Sequence, residues 1–367
     1  MIFTLTARSI QGSAQYLDQF FPGNTLLLLD DDTEGFDADG WAQQVQRINQ
    51  FVADNAIRCI VLNTAINPVR IDYSQNGCSP TYLEMQQDLN RLARTYILTG
   101  DFSYWYDPKP GVIFFPTFVW LNSARLMGQY FANRVNTVYD IEFTERTHTV
   151  MCLNSNTPWH RIYLFSLLAR QPWFDSIGYS FYAQTGHDPE LTFQKRLTDL
   201  AITQYMSLAE RNLAESYAHL LPMQLAGDVI DSKKSGIHSW IYSAYAINLV
   251  TETSLTEGVM LTEKTCKAFT AYQIPVLIAP VGANQFLEDI GLDMFSDYVP
   301  WKTWDQIEDH KTRIQLIVEW LDRILANPAD ILSTHAKFKS RLIQNKTHFH
   351  SPEFNNTLLA QIKSYTS

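Results

Sequence analysis

The sequence predicts an α/β protein made of two facing Rossmann-like domains, and three observations predict it. The chain has 367 residues, more than one hydrophobic core commonly supports. Short apolar runs of strand length alternate with longer segments of helical period over most of it. The same alternation starts again at His148. This sets domains at 1–145 and 146–330, with a helical tail at 331–367 expected to pack back on the first domain.

Taken in order, the apolar run Asn24 to Leu29 reads as a strand, Trp41 to Asn55 as an amphipathic helix and Ile57 to Leu62 as a second strand. Tyr82 to Thr95 has helical period, Tyr96 to Leu98 and Val112 to Phe115 read as strands, and Phe118 to Arg134 as another helix. The second domain opens with a strand at His148 to Leu153 and a polar turn, Asn154-Ser155-Asn156-Thr157-Pro158. A helix follows whose apolar face uses Ile162, Leu164, Leu167 and Leu168. A long amphipathic helical region spans Glu190 to His219. Then come a strand at Ala246 to Thr251, a helix at Thr262 to Tyr272, a strand at Ile274 to Ile278, a helix at Trp304 to Ala326 and a short helix at Asn355 to Ser364.

Composition narrows the function classes. Apolar residues make up 46% and charged residues 18% of the chain, the balance of a sequence that folds around a core rather than staying disordered. No segment reaches the roughly eighteen uninterrupted apolar residues of a membrane span, and the first residues carry no basic-then-apolar leader, so a cytoplasmic protein is expected. Cys59, Cys78, Cys152 and Cys266 have neither CxxC pairing nor metal-ligand spacing. Buried reduced thiols are expected, not disulfides or structural zinc. A net charge of −10 repels a phosphate backbone at long range, which disfavours a nucleic-acid partner and leaves room for a local basic pocket holding one nucleotide.

The stretch richest in chemistry is Asn248-Leu249-Val250-Thr251-Glu252-Thr253-Ser254, followed by Thr262-Glu263-Lys264-Thr265. Glu252 stands just past a strand end, and Thr262 is placed to cap a helix whose first turn holds Glu263 and Lys264. A helix N-terminus offers unbonded N–H groups and partial positive charge. With Lys264 it can hold a diphosphate, while Glu263 can accept hydrogen bonds from ribose hydroxyls. The plainer alternative is a capped helix with a solvated lysine. Tyr242 and Tyr245 precede the Glu252 strand and can line a base pocket, or simply pack in the core.

The segment VTETSLTEGVMLTEKTCKAFTAYQIPVLIAPVG resembles the signature of the α-1,3-fucosyltransferases: an acidic strand-end element, then a Thr-Glu-Lys helix start, then an Ile-Pro-Val strand. Thr251 and Thr253 stand where that family has an aromatic residue and an asparagine. Asn154 to Arg161, which includes Asn156, is similar to the family's turn ending in a donor-binding arginine. The resemblance covers about 130 residues of the second half. It implies a GT-B glycosyltransferase in which Arg161 and Lys264 neutralise a pyrophosphate, Glu263 holds the ribose of a guanine nucleotide, and Asn156, Glu252 and Thr262 complete the donor site. It implies further a GDP-linked donor of fucose or a related sugar, a glycan or other hydroxyl acceptor, inversion, and no required metal or tightly bound cofactor. Related readings are a UDP-hexose transferase, including one acting on modified DNA nucleotides, and a nucleotide- or sugar-binding module without turnover.

Inverting transfer needs a base near the acceptor hydroxyl, expected from the first domain. Asp30, Asp31, Asp32, Asp101 and Glu84 are the candidates, Asp101 the preferred one, and no spacing singles one out. The aspartate run also fits a solvated turn better than a metal motif, and His348 and His350 fit surface histidines better than metal ligands. Gly282 can let a ligand approach the backbone or make an ordinary turn.

Overall fold

In a computed structural model, residues 2–4, 26–30, 38–55, 57, 59–64, 82–99, 106, 110, 112–114, 141–154, 157–181, 193–221, 239–253, 255, 261–351 and 353–354 are described. The chain forms two compact units. One comprises Met1–Ala132, Thr256–Leu261 and Pro352–Ser367; the other comprises Asn133–Leu255 and Thr262–Ser351.

The first unit carries strands β1 (Ile2–Thr4), β2 (Leu26–Asp30), β3 (Cys59–Thr64), β4 (Arg94–Thr99) and β5 (Val112–Phe114), all parallel and ordered as in the sequence. Helix α1 (Ala38–Asn55) contributes Ile48 and Val52, and α2 (Tyr82–Leu89) contributes Met85 and Leu89. Each pair is spaced i, i+4, so each helix turns one face to the core of Ile60, Leu62, Ile97 and Val112. Strand β3 is buried from Cys59 to Leu62, as expected where helices cover a parallel sheet. The helix expected over Tyr82 to Thr95 stops at Leu89, because the Asn90 side chain accepts from the Thr95 N–H at 2.8 Å and turns the chain into β4. Strand β1 was not expected; three residues give too short an apolar signal.

The second unit has strands β6 (His148–Asn154), β7 (Gly178–Phe181), β8 (Tyr245–Thr251) and β9 (Ile274–Ile278), all parallel, in the order β7-β6-β8-β9. Helix α3 (Trp159–Ala169) follows β6 and is buried from Trp159 to Leu168, on every face rather than the single apolar face expected. It packs between α6 (Leu208–Ser216) and α10 (His310–Leu325). The helical region expected over Glu190 to His219 is broken into α4 (Phe193–Leu197), α5 (Leu200–Thr203) and α6. Asp199 caps α5 through the Ala201 N–H, and Ser207 with Glu210 forms a capping box that starts α6, so polar residues inside the apolar rhythm restart the helix twice.

Helix α7 (Ser239–Ala244) leads into β8, α8 (Glu263–Thr270) links β8 to β9, and α9 (Ala283–Asp289) follows β9. The helix expected from Trp304 begins at His310 instead, capped by Asp309, while Trp301 and Trp304 are buried in the turn before it. Helices α11 (Pro328–Lys337) and α12 (Lys339–Phe349) lie on the second unit, so the expected 331–367 tail divides. Residues up to Ser351 belong to the second unit, held by His335 Nε2 donating to the Tyr272 carbonyl at 2.8 Å and by Phe349 against Phe269 at 6.0 Å. Phe118 to Arg134 and Asn355 to Ser364 lie outside the described residues. No helix among the described residues is long and apolar enough to cross a membrane. Cys59, Cys152 and Cys266 are buried free thiols, and burial pushes Cys59 and Cys152 up to about 12; Cys78 is outside the described residues.

Gly178 marks a packing constraint: a β-carbon there would lie 2.5 Å from the Tyr245 ring. Gly178→Ala is therefore expected to destabilise the protein by about 1–3 kcal/mol, read as a lower urea midpoint at unchanged slope. An unchanged midpoint would contradict this packing.

Candidate functional site

The order β7-β6-β8-β9 contains one reversal among the described residues: from β6 the chain moves outward to β7 and returns to the other side of β6 as β8. Ligands of open parallel sheets bind beyond the carboxyl ends of the strands at such a switch point. The first sheet, ordered as in the sequence, has none among its described strands. At the switch the Thr251 hydroxyl, at the end of β8, donates to Asn154 Oδ1 at the end of β6, and the Asn154 N–H donates to Ser180 Oγ at 3.3 Å.

Among the described residues three helices begin directly after strands at this edge: α3 after β6, α8 after β8 and α9 after β9. Each presents first-turn N–H groups and partial positive charge. At α8 the charge is answered from within. Glu252, 0% exposed, accepts from the Thr262 N–H at 3.0 Å, the Thr262 hydroxyl at 2.5 Å and the Thr265 hydroxyl at 2.6 Å. At α9 the carboxylate of Asp305 accepts from the N–H groups of Asn284 and Gln285, both at 3.1 Å, and from Asn284 Nδ2 at 2.7 Å. Gly282 there makes a left-handed turn with φ 78° and donates to the Asp305 carbonyl, so it serves as an ordinary turn. At α3 the capping position is Pro158, and among the described residues no side chain caps the helix. Just before it the buried Thr157 hydroxyl has no hydrogen-bond partner among the described residues.

Cationic and imidazole groups surround this α3 terminus. Arg161, 2% exposed, donates through Nη2 to the carbonyls of Thr251 at 2.9 Å and Glu252 at 3.1 Å. His160 Nε2 lies 3.0 Å from the same Glu252 carbonyl, which can only accept, so that nitrogen carries the proton and Nδ1 keeps a lone pair. Burial, with Arg161, His310 and Lys264 nearby, pulls His160 down to about 3 and keeps it neutral. His310, the first residue of α10, is pulled down to about 4 by burial and by Arg313. Lys264 Nζ donates to the hydroxyls of Thr253 at 3.0 Å and Thr262 at 3.1 Å. The edge can therefore attract an anion with two fixed cations while its histidines add no charge.

The structure brings Arg161, Glu252, Thr262 and Lys264 together, in partly different roles from those expected. Glu252 and Thr262 satisfy each other, and the α8 terminus expected to receive a phosphate holds the protein's own carboxylate. Arg161 is buried behind the edge. Glu263 is the first residue of α8, its side chain outside the description, and Asn156 and Asp101 lie outside the described residues, as do Asp31 and Asp32. Tyr242 is not at this edge. It packs with Ile141, Met151 and Ile241 at the amino end of β8, one strand length or about 20 Å away, so it forms core rather than base pocket. Asp30 ends β2 and Glu84 is exposed in the first turn of α2. His348 donates to the Ile290 carbonyl and His350 bonds the Thr270 hydroxyl, both at 3.1 Å.

Sequence reasoning missed His160, Asp305 and His310. His160 is flanked by Trp159 and Arg161 at a helix start, a signal available in the sequence. Asp305 and His310 arrive from far along the chain, and no local pattern marks them.

No protein-family profile matches the chain, and no curated protein matches it. Similar solved structures include a glycosyltransferase from Rickettsia africae ESF-5, with 7% identity and a TM-score of 0.43, covering 99% of this chain and 97% of that one. Another is an α,α-trehalose-phosphate synthase (UDP-forming) from Burkholderia vietnamiensis, with 12% identity and a TM-score of 0.40, covering 96% of this chain and 77% of that one.

Two outcomes follow from the geometry. Glu252→Gln places an N–H₂ group among three donors and is expected to destabilise the protein by about 2–4 kcal/mol, measured by urea unfolding; a loss under about 0.5 kcal/mol would contradict the carboxylate's role. His160, lowered from 6.5 to about 3, contributes stability that is full above pH 6.5 and is lost as pH falls toward 3. At pH 5.5 the loss is about 1.4 kcal/mol. The fall in unfolding free energy between pH 7.5 and 5.5 should shrink by that amount in His160→Gln, and an identical fall in both proteins would count against a buried neutral imidazole.

Proposed function

We propose that the protein is a glycosyltransferase whose second unit binds the diphosphate of a nucleotide sugar at the amino end of α3. The observation that carries this is the contrast among the three helix termini at the switch edge. Glu252 occupies α8 and Asp305 occupies α9, whereas α3, nearest the β6–β8 reversal, has no side-chain cap among the described residues. Phosphate oxygens suit the open N–H groups there. As the glycosidic bond breaks, the departing nucleoside diphosphate gains negative charge, and Lys264 with the buried Arg161 favours that charge more than the ground state.

The finer reading rests on the resemblance at Glu252 and at Thr262-Glu263-Lys264. It takes the donor as GDP-linked fucose or a related sugar, Glu263 as the ribose contact, Asn156 as part of the phosphate turn, and the transfer as inverting without a required metal. The division into a 1–145 acceptor side and a 146–330 donor side belongs to the same reading, with Asp101 as the candidate base.

Calorimetric titration with GDP, UDP, ADP and CDP, with magnesium and with chelator, tests it. GDP is expected to bind best and to keep its affinity in chelator. UDP preference would replace the donor assignment, and no nucleotide binding would sink the proposal. Lys264→Ala should weaken GDP binding roughly ten- to hundredfold with the unfolding midpoint nearly unchanged; unaltered affinity would remove Lys264 from the site.

A further inference from the structure

We infer that the ring of Tyr205 is the face on which the donor's nucleobase stacks; this rests on the reading of the α3 terminus as a diphosphate site. Trp159 is the first residue of α3. Its indole is stacked on Tyr205, with centroids 5.0 Å apart and planes at 21°, and meets the His310 ring at 6.3 Å and 37°. Trp159 is 6% exposed, whereas Tyr205 is half-buried. Among the described residues Trp159 is the one ring that meets Tyr205, and the Tyr205 hydroxyl has no hydrogen-bond partner. One face is thus backed by indole, and no further ring of the described residues meets Tyr205.

The support under Tyr205 is stiff. It lies on the turn between α5 and α6, flanked by the buried side chains of Ile202 and Met206. The Asp199 cap fixes the chain before it and the Ser207–Glu210 capping box fixes it after, with Glu210 also held by Lys311 at 2.7 Å. A ring already immobilised loses little freedom when a second ring lies on it. Arg196 joins this corner to the α3 terminus, donating to the Thr157 carbonyl at 3.3 Å and pairing with Asp199 at 2.5 Å. Phosphate donors and an aromatic shelf are therefore one residue contact apart, the arrangement that a molecule carrying both a diphosphate and a flat heterocycle requires. Stacking draws on the π-face that every base has, so the shelf adds affinity without choosing the base.

The test titrates wild type, Tyr205→Ala and Tyr205→Leu with GDP, ADP and inorganic pyrophosphate; the leucine variant keeps Trp159 covered and guards against a folding defect. Both variants are expected to bind GDP and ADP more weakly by roughly five- to hundredfold and pyrophosphate as wild type does. Wild-type nucleotide affinity in a folded variant would overturn the shelf and leave the phosphate site standing, as would a wild type that binds GDP no better than pyrophosphate. A wild type that binds neither would overturn the phosphate reading and the shelf with it.

Discussion

The second unit depends on where the carboxylate of Glu252 goes. It sits at zero exposure under the first turn of α8, accepting one amide and two hydroxyl hydrogen bonds. Its own carbonyl gathers His160 and Arg161 from α3. A single residue at the end of β8 thus ties two helices to one strand, and a buried carboxylate left without donors would cost several kcal/mol. Everything around the edge is consistent with meeting that demand: Thr262 as cap, Thr265 one turn on, and neutral rather than charged imidazole beside Arg161.

The proposed diphosphate site has to be reconciled with a chain of net charge −10. The acidic groups nearest the edge, Glu252 and Asp305, lie at helix termini, where each answers a partial positive charge. Asp305 performs at α9 what Glu252 performs at α8. Charge placement, not charge total, decides the local field.

Much of the fold was legible because strands buried on both faces leave short continuous apolar runs. The strands at His148, Tyr245 and Ile274 fall within a residue of their expected starts. The helix breaks at Asp199 and Ser207 were visible as capping residues but lost within a persistent apolar rhythm. The site was legible as a set of residues and less so as a set of roles. Glu252 and Thr262 were singled out from adjacent segments, yet sequence spacing does not reveal that one satisfies the other. Tyr242 precedes the Glu252 strand in sequence, whereas in the sheet the seven residues of β8 place it at the opposite end of that strand. Strand order, which creates the switch point, comes from long-range pairing that no local pattern encodes.

The donors on Glu252 have a consequence for behaviour in brine. Mobile ions weaken attraction between solvated charges such as Lys302 and Glu288, 3.5 Å apart with the lysine side chain 61% exposed. They have no access to a carboxylate enclosed by threonine hydroxyls and a backbone amide. High ionic strength should therefore strip the rim of the second unit of its ion pairs while leaving the junction of β8, α3 and α8 intact, so that the edge keeps its shape in media where surface attraction has been extinguished.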